Sequence, residues 1–328
     1  MNAAHLRSSS AARRALAIVL LGCSACSSGS EDGAPDSGGP SSATGSIGSF
    51  SIELHAPEGN VPGHTSLLGV VYRGPYPSPV AWRAAREVGA CRLLVPQNPF
   101  CDPACPSGSV CVEDGRCVPR PEVASVGVVT MRGLRTSSGD TEFSMTQEAG
   151  NYQPGVDVGT LPYPAFAAGD LLELETSGGD LAPFSLSTPG IAALELTTPT
   201  PIRVARGEPV LLEWTPSPVP GAGSIRVQLD VSHHGGAKSL IECNTEDTGS
   251  ISIAEALVTD MLDLGVAGFP SAVLSRLSLG STHTEAGTVE LAAFSLAEAP
   301  IEIPGLTSCS SDEQCEPGTT CTDARTCE

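Results

Sequence analysis

The chain has 328 residues, 37 of them acidic and 17 basic, for a formal charge of −20. Such a field repels polyphosphate and argues against nucleic-acid binding. Twelve cysteines imply an oxidising compartment, and 36 glycines with 28 prolines against 4% aromatics imply many turns joining short extended segments.

The N-terminus agrees with export. Arg7, Arg13 and Arg14 precede the apolar run Ala15–Gly22, which is far too short to span a bilayer and reads as the core of a signal peptide over residues 1–22. Leu20-Leu21-Gly22-Cys23 resembles a bacterial lipobox. The resemblance implies that Cys23 becomes the acylated first residue and anchors the chain to a membrane through its lipid. Cys26 is the competing acceptor, but it lacks the bulky residue three places upstream. Ser24 stands where lipoproteins kept in the inner membrane carry Asp, so the same resemblance points to the outer membrane. Residues 23–46 form the linker. From Ser27 to Ser46 there is no large apolar side chain, and a flexible tether of this length reaches roughly 25 Å.

Residues 47–305 form the expected body, in which short apolar runs alternate with Gly and Pro. Ser49–Leu54 and Leu67–Tyr72 read as the first strands. Tyr72, Tyr76 and Trp82 follow in a proline-rich stretch; it is either a sugar-stacking platform or a braced loop with a core tryptophan. Cys91–Cys117 reads as a cysteine-rich excursion. Further strands fall at Val126–Met131, Leu171–Glu175, Val210–Trp214 and Ser224–Val231, with Trp214 in the core. In the last of these Ile225, Val227, Leu229 and Val231 share one face, and Arg226, Gln228 and Asp230 share the other. This layout predicts a mainly β fold, an antiparallel β-sandwich.

Beyond these strands, Ser232-His233-His234-Gly235-Gly236 reads as a hairpin turn. Adjacent histidines on a strand face opposite ways, so only His234 with Asp230 offers a metal-ligand pair. His55, His64 and His283 stand in isolated polar settings. Asp247-Thr248-Gly249 resembles the aspartic-protease signature. It lacks an apolar strand before the aspartate and a second copy to supply the partner carboxylate, so it reads as a polar turn. Replacing Asp247 should then cost only turn stability, on the order of 1 kcal/mol. One helix follows: Ser252 and Glu255 have capping-box spacing, Gly265 ends it, and Ile253, Leu257, Met261 and Leu264 line its buried face. No Gly-x-Ser-x-Gly, His-Glu-x-x-His or phosphate-binding glycine loop occurs, so no cofactor is expected.

Two segments repeat Cys-x2-Gly-x2-Cys-x5-Cys: Cys105, Gly108, Cys111 and Cys117, and Cys315, Gly318, Cys321 and Cys327. Cys101 and Cys309 each add a fourth cysteine, and the second set forms a small C-terminal module over residues 306–328. Without a Cys-x2-Cys pair or a nearby histidine, disulfides are expected in preference to zinc. Asp312 and Glu313 offer at most weak calcium ligands. Setting aside Cys23 and Cys26, only Cys91 and Cys243 remain, and they are expected to pair across a folded core.

The lipobox, the two knots, "CRLLVPQNPFCDPAC", "LLEWTP" and "IECNTEDTGSISI" together resemble uncharacterised lipoproteins of the myxobacterial type, a group that brings no activity with it. Resemblance to small secreted cysteine-rich modules further implies first-to-third and second-to-fourth pairing: Cys101 with Cys111, Cys105 with Cys117, Cys309 with Cys321, and Cys315 with Cys327. The expectation for function is a non-catalytic, outer-membrane lipoprotein that binds or supports an envelope protein or glycan. A carbohydrate-binding or adhesive surface protein is the alternative, and an unrecognised hydrolase the alternative from the enzymes.

Overall fold

The computed structural model describes residues 46–77, 81–97, 101–112, 115–233 and 238–328. Cys23, Cys26, the lipobox and the tether before residue 46 lie outside these, as does His234 with the two glycines after it.

Chain order gives β1 (Ser46–His55), β2 (His64–Val71), β3 (Ala81–Val88), β4 (Cys91–Gln97), β5 (Ser109–Cys111), β6 (Cys117–Pro119), β7 (Val129–Arg132), β8 (Glu142–Met145), β9 (Gln147–Glu148) and β10 (Asn151–Tyr152). Then come β11 (Leu171–Thr176), β12 (Ser185–Pro189), β13 (Ile202–Arg203), β14 (Val210–Glu213), β15 (Ser224–Asp230), β16 (Leu240–Glu246), β17 (Ser250–Ile253), α1 (Glu255–Asp263), β18 (Ser271–Thr284) and β19 (Gly287–Glu302). The fold is mainly β, as the alternation of apolar and polar residues implies.

One eleven-stranded sheet runs β3-β4-β16-β15-β18-β19-β1-β2-β10-β9, with β13 added against β19. Most neighbours are antiparallel, but β1 and β13 both run parallel to β19. Such pairs need no local hairpin, so no turn signal in the sequence announces them.

The sheet is long enough to carry two cores. The β18–β19 hairpin, with strands of 14 and 16 residues, passes through both. Around β1, β2 and the start of β19, the side chains of Phe50, Ile52, Leu67 and Leu291 pack against Met131, Leu172 and Leu174 of the four-stranded sheet β12-β11-β7-β8. Around β15, β16 and the start of β18, Val227, Leu229, Ile241 and Leu274 pack against Leu212 and Ile253 of the β14–β17 ribbon and Leu257 and Met261 of α1. Between the cores the inner face turns polar. Arg276 of β18 pairs directly with Ser295 of β19, and both are buried. A sheet built on period-two alternation loses its apolar stripe wherever an inward position turns polar, and here that position divides one sheet between two cores.

Three local expectations change. Ser252 lies in β17, and α1 is entered through Ala254 with no side-chain cap. Glu255 is its first residue and Gly265, at φ 101°, follows its end. Leu257, Val258, Met261 and Leu262 form the buried face while Leu264 is exposed, because the pairing of β17 with β14 takes residues 250–253 before a helix can start. Cys91–Gln97 is a strand of the main sheet and not part of an excursion. Finally, Cys91 and Cys243 are directly opposed on adjacent strands β4 and β16. Their disulfide, with Cα atoms 4.0 Å apart, staples neighbours within one sheet and faces the second core.

The other cysteines pair within each knot: Cys101–Cys111, Cys105–Cys117, Cys309–Cys321 and Cys315–Cys327. Cys101, Cys105 and Cys117, like Cys309, Cys315 and Cys327, sit close enough to hold an ion, but as disulfides their sulfurs are not thiolate ligands. The C-terminal knot is seated on the body. Cys309 is fully buried, Leu306 packs on the second core, and Gly268 N–H donates to the Ala324 carbonyl.

Candidate functional site

Asp247 begins the turn between β16 and β17, where Gly249 takes a φ of 96° that only glycine adopts without strain. The turn aims the carboxylate inward. Oδ1 accepts from the Trp214 indole N–H at 2.7 Å and Oδ2 from the Ser217 backbone N–H at 3.0 Å. Arg276 closes a two-pronged ion pair, Nε to Oδ2 at 2.7 Å and Nη2 to Oδ1 at 3.1 Å. The rest of the guanidinium donates to the carbonyls of Ala192, Ala193 and Thr215, so all five N–H donors of this arginine are used. The side chains of Arg276 and Asp247 are only 1% and 6% exposed.

Both Asp247 oxygens are occupied, and the arrangement is that of a structural lock. Burial alone would push the Asp247 carboxyl up, but Arg276, Trp214 and Ser217 together hold it below its ordinary value. A protease dyad needs the reverse, two carboxylates sharing a proton and an open water site. Asp247 instead joins the β16–β17 turn, the end of β14 and the middle of β18 at the polar seam between the cores. The expectation of a turn holds; the burial of Asp247 and its pairing with Arg276 were not anticipated from the sequence.

The other sequence candidates are dispersed. The rings of Tyr72 and Tyr76 lie 4.8 Å apart at a 45° tilt, so their faces do not form one platform, and Trp82 lies on β3. Asp230 is occupied by the backbone and hydroxyl of Ser232. Asp312 accepts the Cys321 N–H within the C-terminal knot.

One group escaped sequence reasoning. His55 and His64 are directly opposed across the β1–β2 hairpin, with rings stacked at 4.4 Å and 14°. They are not isolated. Glu53 lies on the same face, its Oε2 3.6 Å from His55 Nε2, and Ser66 Oγ is 2.9 Å from that nitrogen. Desolvation lowers both imidazoles, with each other's proximity adding to the effect on His64, and it raises Glu53 despite the nearby His64. The signal lay in the symmetry of "HAPEGNVPGH": Gly59-Asn60 forms the turn, with Glu58 and Val61 bonded to each other, and the two histidines stand equally far from it.

No protein-family model matches the chain, and the comparison with curated proteins returns no match.

Proposed function

We propose that this protein is an exported lipoprotein, anchored through Cys23 to the outer membrane, that acts by binding or supporting other envelope components and not by catalysis. The observation that carries this reading is the use of Asp247. The one side chain in a protease-like signature is consumed by Arg276, Trp214 and Ser217, and its pKa is driven away from that of a general acid or base. The five disulfides among the described residues and the two cores make a frame suited to presenting a fixed surface outside the reducing cytoplasm. On this reading the lipobox supplies the anchor and the small, polar residues after it supply the link to the body.

The test has two parts. Mass spectrometry of the mature N-terminus should find acylated Cys23; an unmodified start or an acyl group on Cys26 contradicts the anchor. A pull-down with the mature protein from its own envelope fraction should retain a protein or cell-wall partner. Retention of glycan alone would favour the carbohydrate-binding alternative, and substrate turnover abolished by Asp247→Ala in a folded variant would contradict the non-catalytic reading.

A further inference from the structure

The outer face of the main sheet treats its half-buried carboxylates unequally. Glu242 on β16 is held by Arg92 Nη2 at 2.6 Å and by Gln228. Glu53, on the same face, has a side chain only 13% exposed, and the basic group paired with it is the imidazole of His55, 3.6 Å away. Phe294 stands beside it on β19 and lowers the local polarity. A carboxylate in such a setting needs a proton or a cation.

The geometry already approximates half of a metal site. Zinc binds imidazole nitrogen and carboxylate oxygen at about 2.0–2.2 Å, so two such ligands on one tetrahedral ion stand about 3.4 Å apart. His55 Nε2 and Glu53 Oε2 are 3.6 Å apart. If that nitrogen carries a lone pair and not a proton, it faces the carboxylate unfavourably unless a cation lies between them. Ser66, now bonded to His55 Nε2, is the contact an ion would replace. The parallel stack keeps the nitrogens of His64 from converging on the same point, so His64 must rotate out of the stack to add a third ligand.

We propose that Glu53, His55 and His64 form a binding site for one divalent transition ion of the zinc class on the outer face of the β1–β2 hairpin. A water molecule completes the tetrahedron. The strands fix the Cα positions and the hairpin turn fixes their register, so the site needs only side-chain rotation to close.

Isothermal titration of the untagged, oxidised full-length protein with Zn2+ should show one saturable site. His55→Gln and His64→Gln should each weaken it by about tenfold or more, while Ser66→Ala leaves it intact. On the unsubstituted protein, imidazole nitrogen NMR should show zinc moving the His55 and His64 resonances together, which keeps the test valid if a variant misfolds. Absence of saturable binding overturns the proposal. So does binding that survives in a folded His55→Gln/His64→Gln variant, or zinc shifts confined to His233, His234 or His283.

Discussion

Asp247 and Glu53 are both carboxylates beside paired strands, and their surroundings are opposite. Asp247 faces inward at the seam between two cores, where a buried arginine, an indole and a backbone amide hold it ionised. Glu53 faces outward on the same large sheet, largely desolvated, with two stacked histidines beside it in place of an arginine. The first has no capacity left for a ligand; the second has some. A sequence signature points to Asp247 and not to Glu53, because it records residue identity and not what the residue's oxygens already touch.

The largest expected effect comes from breaking the satisfied site. Asp247→Ala leaves Arg276 as a buried charge without its counterion, which should cost about 3–5 kcal/mol in urea unfolding. A loss near 1 kcal/mol would return Asp247 to an ordinary surface turn.

A smaller effect separates the two carboxylates by pH. The folded-state pKa of Asp247 lies below its ordinary 3.8. Its stabilisation is therefore complete above that value and is lost as pH falls through the folded pKa. His55 and His64 are lowered from 6.5. The unfolded chain takes their protons first, so stability falls as pH drops from 6.5 to their folded values and no further. Glu53 is raised from 4.5 and opposes this, adding stability as pH falls from its folded pKa towards 4.5. Melting temperature followed against pH should lose its decline just below pH 6.5 in His55→Gln/His64→Gln, while Asp247→Ala should lose only the step below pH 3.8. One profile unchanged in both variants would show that neither group is coupled to folding.

Much of the frame was legible. Period-two alternation located β1, β2, β11 and β14 because each buries mainly one face, and β15 although its outward Arg226 is buried too; the repeated spacing of cysteines and glycine marked both knots. Contacts between segments distant in sequence were not legible. Nothing near Ser46 reveals that β1 lies parallel to the far later β19. Arg276 was the sharper omission. It stands in phase with Ala272 and Leu274 on β18, and an arginine at an inward strand position already demands a buried anion. The nearby Asp247 could have been matched to it on that ground. Ser252 misled in the other direction, since capping spacing is a local preference that strand pairing overrode.

Asp247 holds Arg276 and so joins the two cores. A double-mutant cycle with Asp247→Leu and Arg276→Met, followed by urea unfolding, tests it most directly. Each single change should cost about 3–5 kcal/mol, and the double variant should recover most of one of those losses because no charge is left buried. Losses that simply add, with the double variant the least stable of the four, would mean that the two residues act independently and that Asp247 must be explained by something other than Arg276.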